Sequence, residues 1–122
     1  METKKKTLIL GASDNPRRYS NLAAHRLRDA GHPIVNVGIK KGIVAGAEIE
    51  KPEKIHADID TITLYVGSQN QDELYDYILN TKPKRIIFNP GTENPVLEEL
   101  AGQQGIETIE ACTLVMLATG QY

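Results

Sequence analysis

The chain has 122 residues, a length that fits one domain over residues 1–122 and leaves little room for a second. Its formal net charge of -2, with 25% charged and 40% hydrophobic residues, gives no overall basic field for nucleic acid or an anionic membrane. The single cysteine excludes an intramolecular disulfide and a cysteine-based zinc cluster, and no apolar run approaches a membrane span. We therefore expect a cytoplasmic protein that binds neither nucleic acid nor membranes.

The first predicted strand and the loop that follows it form the most informative stretch. Residues 1–6 predict a charged, disordered lead-in, and Thr7–Leu10 is a short apolar run typical of a strand buried on both faces. The run ends at Gly11, and a polar loop leads to Ser20, which we expect to cap a helix over residues 21–30. A buried strand, a glycine turn and a helix N-terminus are together the parts of a phosphate-binding site.

Strand and helix patterns alternate along the rest of the chain. Strand patterns cover residues 34–37, 47–49, 61–66, 85–88 and 106–109, and helix patterns cover residues 71–80 and 94–105, with a last helical turn or two within 111–118. Gly31 predicts the end of the first helix, Ser68 and Asn70 are candidate caps of the second, and Asn94 begins the third. This alternation with short links predicts an α/β domain with a mainly parallel sheet.

Ligands of such sheets bind beyond the carboxyl ends of the strands, at the point where the strand order reverses. The loops expected at those ends all contain glycine, which permits a ligand to approach the backbone closely: residues 11–13, 38–42, 67–68 and 89–91. Asn89 and Gly91 are the candidate site residues in the last of these loops.

Four basic residues narrow the class of ligand that the site is expected to bind. NAD-binding folds place an acidic residue at the end of the second strand, whereas residues 36–38 of this chain contain none and Lys40 and Lys41 follow. Cations at that place suit a ribose phosphate and favour NADP or coenzyme A over NAD, although most lysine pairs only line a solvated loop. Arg17 and Arg18, just before the first helix, can either bind phosphate oxygens as a fork or be exposed.

An ordered set of residues, spread from about Lys5 to Leu117, carries a family resemblance. Its members are Gly11, Ala12, Ser13, Asn15, Pro16, Arg18, Ser20, residues 31–36, Gly46, Asp60, residues 88–91, Glu93, Asn94, Gly105, Ile106 and Cys112. On these residues the chain resembles the small stand-alone CoA-binding domains, which are similar to the N-terminal CoA-binding domain of the succinyl-CoA synthetase α subunit. The resemblance implies a Rossmann-like three-layer sandwich with a mainly parallel sheet of five to six strands, and coenzyme A as the cofactor.

The resemblance also implies where the ligand lies. In the family the phosphates of CoA lie over the first loop, and the adenine end lies near the loops after the second and fourth strands. The residues that match are Gly11, Ala12, Ser13, Asn15, Arg18, Asn36, Lys40, Val66 and Gly67. Ile39 and Val66 are the apolar walls expected against adenine, and Arg17, Ser20, Lys41, Asn89 and Gly91 complete the candidate set. The chain departs from the family at Val37, where proline is frequent, and at residues 110–111, where Asp-Arg is frequent.

The sequence shows no catalytic set. No nucleophile, base and acid are spaced as a unit, and no second histidine is spaced to bind a metal together with His56. We expect Cys112 to be a small buried hydrophobic residue, the alternative being a thiol near the pantetheine end.

The leading hypothesis is therefore a module that binds CoA or an acyl-CoA without catalysis of its own. The backbone N–H groups of residues 11–13 and the dipole of the first helix would hold the pyrophosphate, and Lys40 or Lys41 the 3′-phosphate. One alternative is an NADP-dependent or CoA-linked enzyme that acts with a partner chain. Another is a regulatory protein that senses a nucleotide and associates with a protein partner through an apolar patch over residues 114–117.

Overall fold

The computed structural model describes residues 4–122 and consists of helices around a single sheet. The strands are β1 (Thr7–Leu10), β2 (Ile34–Val37), β3 (Ile43–Val44), β4 (Ala47–Glu50), β5 (Thr61–Leu64), β6 (Arg85–Phe88) and β7 (Glu107–Glu110). The helices are α1 (Tyr19–Asp29), α2 (Tyr75–Thr81), α3 (Pro95–Gln103) and α4 (Thr113–Ala118), with short 3-10 turns at Ser68–Asn70 and Asp72–Leu74. The strand order is β3-β4-β2-β1-β5-β6-β7, and only the β3–β4 pair is antiparallel.

The alternation of side chains along the central strands divides the core into two layers. Leu8 and Leu10 of β1 pack in a cluster that includes Ile78 of α2 and Leu97 of α3. Ile9 points to the opposite face, where the apolar cluster includes residues of α1 and α4. Helices therefore cover both faces of the sheet, and the predicted α/β, Rossmann-like three-layer sandwich is confirmed.

The sheet has its topological switch point between β1 and β5. The chain passes from β1 through α1 to β2 on one side of β1, and later returns to place β5 on the other side, with Leu10 in register with both Val37 and Leu64. The loops after β1 and β5 therefore diverge at the same edge, which is where ligands of doubly wound folds bind.

The sheet has more strands than the sequence indicated because residues 43–50 form a hairpin. Only a short strand near residues 47–49 was expected, whereas Ile43–Val44 adds a second strand antiparallel to β4. Ala45 and Gly46 make the turn with φ values of 51° and 81°, the left-handed conformation that tight hairpin turns require. A two-residue strand has no periodicity of its own, so it could not be recognised before its partner was known.

Two of the expected helix starts are wrong. α1 begins at Tyr19 with Arg18 as its N-cap, so Ser20 is the second residue of the helix and caps nothing. The cause is a turn centred on Asn15, whose backbone oxygen accepts from Arg18 N at 3.0 Å and whose side-chain oxygen accepts from Arg17 N at 3.0 Å. This turn brings the chain into helical geometry earlier than the position of Ser20 suggested.

The second helix also starts later than expected, at Tyr75, and neither Ser68 nor Asn70 caps it. The expected cap of the third helix is confirmed, since the Asn94 side chain accepts from Val96 N at 3.1 Å and Leu97 N at 3.3 Å.

The predicted lead-in lies partly outside the described residues, which begin at Lys4. Within them, Lys5 N donates to His32 Nδ1 at 2.9 Å and Lys5 Nζ donates to Tyr122 O at 2.8 Å, while Lys6 Nζ lies 3.0 Å from Asp58 Oδ1. No helix among residues 4–122 combines the length and the apolar character needed to cross a bilayer.

Candidate functional site

A cleft of about 1100 Å³ opens at the carboxyl edge of the sheet, at the switch point between β1 and β5. The loops after β1, β2, β5 and β6 form its walls together with the start of α1. The lining residues are 10–14, 18–20, 37–40, 52, 65–67, 69–70, 72–74 and 90–92. The cleft therefore draws on all four glycine-containing loops that the sequence placed at strand ends.

Two glycines allow the loops to meet backbone to backbone at the floor of the cleft. Gly11 has a φ of +100°, and a Cβ there would lie 3.0 Å from the carbonyl carbon of Tyr65. A Cβ on Gly38 would lie 2.5 Å from the carbonyl oxygen of Ala12. The loops after β1, β2 and β5 are thus in direct contact, and side chains at these positions would force them apart.

The hydrogen bonds of the first loop correct the expected set of phosphate donors. Gly11 N and Ala12 N both donate to the carbonyl oxygen of Val37 at 2.9 Å, so both are engaged within the fold. The N–H groups of Ser13 and Asp14 have no acceptor among residues 4–122. At the start of α1, Arg18 N and Asn21 N donate to Asn15 O and Arg18 O, whereas Tyr19 N and Ser20 N have no acceptor among residues 4–122. The donors available to an anion thus come from Ser13 onward.

The charged residues of the cleft are of both signs. Arg18 and Lys40 are its cations, and they come from the loops after β1 and β2. Asp14 is the carboxylate nearest to them in sequence, and Asp72 and Glu73 precede α2 on the opposite wall. The side of α1 and β2 has two cations against one carboxylate, and the turn before α2 has two carboxylates, so an anionic ligand group is favoured on the first side relative to the second.

The structure brings together part of the predicted site residues. Gly11, Ala12, Ser13, Arg18, Ser20, Ile39, Lys40, Val66, Gly67 and Gly91 line the cleft. Asn15, Arg17, Asn36, Lys41 and Asn89 do not. Asn15 forms the turn before α1, Arg17 is exposed, and Lys41 lies by a smaller depression on the β3–β4 hairpin.

Two of these asparagines form hydrogen bonds within the fold, although the buried Oδ1 of Asn36 has no partner among residues 4–122. Asn36 is 0% exposed, and its Nδ2 donates to Val44 O at 3.0 Å and Ala47 O at 3.1 Å, which fastens the hairpin to β2. Asn89 Nδ2 donates to Leu64 O at 2.9 Å, and its Oδ1 accepts from Thr113 N at 2.9 Å. These contacts hold β5 and the start of α4 rather than presenting the side chains to the cleft.

The wall between β5 and α2 contains residues that the sequence did not suggest as site residues. Tyr65 follows the last residue of β5, and Gln69, Asn70, Asp72, Glu73 and Leu74 precede α2. They were missed because the strand was expected to extend to residue 66 and the helix to begin at residue 71. Burial raises the pKa of Tyr65 to about 12, so its phenol is neutral at ordinary pH. Its hydroxyl is buried and has no hydrogen-bond partner among residues 4–122.

A buried glutamine supports this wall from behind. Gln71 is 0% exposed, and its Nε2 donates to Val66 O and to Thr92 O, both at 2.8 Å. Its Oε1 accepts from Asn94 Nδ2 at 2.9 Å. One side chain thus joins the loop after β5 to the loop after β6.

The residues considered in the sequence as a reactive thiol or a metal ligand, Cys112 and His56, do not line the cleft. Cys112 is half-buried and is the N-cap of α4. His56 Nε2 lies 3.0 Å from Glu50 Oε1. Among residues 4–122, no group of three or more histidine, cysteine, aspartate or glutamate side chains is arranged to hold a metal ion.

A family model for the CoA binding domain matches residues 5–118. Among solved structures, the chain is similar to an uncharacterized protein at 51% identity and a TM-score of 0.96, over 99% of this chain and 100% of that one. It is similar in fold to a protein from Thermus thermophilus (18% identity, TM-score 0.85, 98% and 91% of the two chains). A hypothetical protein from Pyrococcus horikoshii has 22% identity and a TM-score of 0.84, over 95% and 83%. No curated protein matches.

Proposed function

Because the chain belongs to the CoA binding domain family, we propose that it binds coenzyme A or an acyl-CoA in the cleft at the switch point of its sheet. The observation that carries the proposal is the meeting of three kinds of anion-binding group in that one cleft. These are the N-terminus of α1, the acceptor-free N–H groups of Ser13 and Asp14, and the cations Arg18 and Lys40.

The pyrophosphate is proposed to lie over the loop after β1. There the α1 dipole and the free backbone donors of Ser13 and Asp14 favour negative charge, and the guanidinium of Arg18 can bind two phosphate oxygens. Lys40 is proposed to meet the 3′-phosphate of the ribose, since its loop follows β2 next to Gly38. Ile39, which is 91% exposed, and Val66 are proposed to pack against the adenine ring.

The proposed role is recognition without catalysis of its own. Among residues 4–122, those that line the cleft include no histidine and no cysteine. Two tyrosines line it: burial raises the pKa of Tyr65 to about 12, and Tyr19 is exposed. A role through the apolar patch at residues 114–117 has less support, because Met116 is buried and only Val115 of that stretch is exposed.

Calorimetric titration of ligand-stripped protein with CoA, dephospho-CoA, NAD and NADP tests the proposal. We expect binding of CoA, weaker binding of dephospho-CoA and no binding of NAD. Lys40→Ala is expected to weaken CoA binding roughly tenfold, the effect of one charge-assisted contact, and to leave dephospho-CoA binding unchanged. Lys41→Ala is the matched comparison: it removes the same charge one residue away, outside the cleft lining.

The possible results distinguish CoA binding from the alternative functions. Binding of NADP without binding of CoA would favour the alternative of an NADP-dependent enzyme that acts with a partner chain. Absence of binding to all four ligands would refute the proposal. An equal loss of CoA affinity in the Lys40→Ala and Lys41→Ala variants would show that the lysine pair acts through general charge and not through a contact in the cleft.

A further inference from the structure

Gln71 holds an unusual position for an uncharged polar residue. It is 0% exposed and does not line the cleft, yet its amide group donates to the backbone of two residues that do, Val66 and Thr92. Both bonds are 2.8 Å long. Burial of an amide costs free energy unless its hydrogen bonds are made, and here both walls of the cleft depend on those bonds.

The orientation of this amide is fixed from the opposite side. Asn94 Nδ2 donates to Gln71 Oε1 at 2.9 Å and to Tyr75 Oη at 2.8 Å, while Asn94 Oδ1 accepts from Val96 N and Leu97 N at the start of α3. Because Oε1 faces a donor, the NH₂ group must face the two carbonyl oxygens. The network thus ties the wall of the cleft to two helices.

The bond to Val66 determines the direction of the next N–H group. In a planar trans peptide the C=O and the following N–H point in opposite directions. The Val66 carbonyl is turned toward the buried Gln71, so the N–H of Gly67 points away from it. Gly67 lines the cleft, and its N–H has no acceptor among residues 4–122.

The segment before this peptide packs closely against the loop after β1. A Cβ on Gly11, which glycine lacks, would lie 3.0 Å from the carbonyl carbon of Tyr65 and 3.1 Å from Val66 Cγ2. Tyr65 N in turn donates to Leu10 O at 2.8 Å. The segment is therefore fixed on one side by the loop after β1 and on the other by Gln71.

We propose that Gln71 is a positioning residue that directs the Gly67 N–H into the cleft as a donor to an acceptor atom of bound coenzyme A, a role that rests on the proposed function. Gln71 does not touch the ligand. It sets affinity by holding a donor in place before the ligand arrives, which avoids the cost of ordering the loop on binding.

The variant Gln71→Met tests this role, because methionine has a similar length and no donor. Its matched control is Thr81→Val, which removes another buried side-chain donor, Thr81 Oγ1 to Tyr77 O at 2.8 Å, away from the cleft. Urea unfolding, calorimetry with CoA and the amide resonance of Gly67 with and without CoA are measured for the wild type and both variants.

We expect the Gly67 amide proton to move downfield when the wild type is saturated with CoA. In Gln71→Met we expect CoA binding about tenfold weaker and no such shift, the effect of about one lost hydrogen bond. Thr81→Val is expected to lose stability and to keep wild-type affinity and the Gly67 shift, which separates positioning from a general loss of stability.

The wild-type resonance can overturn the role even if Gln71→Met does not fold. A Gly67 amide that does not respond to CoA overturns the role of Gln71, as does wild-type affinity in a folded Gln71→Met. Failure of the wild type to bind CoA at all overturns the proposed function, and the positioning role with it.

Discussion

Replacing Gly38 with alanine is expected to destabilise the fold and to disturb the cleft, because the new methyl group meets backbone. Its Cβ would lie 2.5 Å from the carbonyl oxygen of Ala12 and 3.2 Å from Cγ2 of Ile49. Real Cβ atoms essentially never approach another heavy atom closer than 3.0 Å, so either the end of β2 or the loop after β1 has to move.

The size of the effect follows from what must move. Ala12 N donates to Val37 O at 2.9 Å, so a shift of Ala12 away from the methyl group also stretches this bond. Overpacking of a filled site costs about 1–3 kcal/mol, and we expect the upper part of that range, about 2–3 kcal/mol, because a backbone obstacle cannot rotate away. That is a sizeable part of a typical folding free energy, on the order of 5–15 kcal/mol.

Urea unfolding at neutral pH measures the change, and we expect the midpoint to fall by roughly 1–2 M. CoA titration of the folded variant is expected to show weaker binding, since Ala12 and Gly38 both line the cleft. Gly102→Ala is the matched control: apart from the neighbouring backbone of α3 itself, no atom of residues 4–122 lies within 4 Å of its Cβ position, so it should stabilise the protein by about 0.5–1 kcal/mol. Gly38→Ala unfolding within about 0.5 kcal/mol of the wild type would refute the reasoning.

Lys82 caps α2 in the left-handed conformation, with φ 51° and ψ 53°, so Lys82→Gly is expected to raise the free energy of unfolding by about 0.5–1 kcal/mol; a lower urea midpoint would contradict this. Burial raises the pKa of Tyr77 to about 12 from a value of 10.0, so the unfolded chain ionises first and stability is lost as the pH rises from about 10. Its buried hydroxyl has no hydrogen-bond partner among residues 4–122. Tyr77→Phe is expected to raise the free energy of unfolding by about 1 kcal/mol at pH 7 and to reduce the loss of stability between pH 7 and pH 11, both measured by urea unfolding. A free energy of unfolding equal to that of the wild type at both pH values would count against this reasoning.

The sequence was sufficient for the elements whose signals are local. Thr7–Leu10 and Arg85–Phe88 are strands because their apolar runs are bounded by turn residues, and both are found where expected. Gly31 and Gly105 end α1 and α3 with φ values of +88° and +77°, which glycine adopts without a steric cost. These signals lie within a few residues of the structure that they specify, so they could be interpreted before any contact was known.

The family resemblance and the regular alternation of elements also located the cleft. In a doubly wound sheet the site follows from strand order, and glycines stood at each of the strand ends that line it. The sequence could therefore predict which loops line the cleft, but not which side chains of those loops face it.

Tertiary structure decided which polar side chains line the cleft and which hold the fold. Asn36 was predicted to contact the ligand, yet it fastens the hairpin. Gln71 was expected only as the first residue of the second helix, yet it joins two walls of the cleft. Lys40 and Lys41 are equivalent in sequence, and only the path of their loop directs one of them to the cleft. An amide or a cation has the same bonding capacity in either role. Its role is set by which acceptors and donors the packing of distant segments brings within about 3 Å of it, and that proximity is not encoded in any short stretch of the chain.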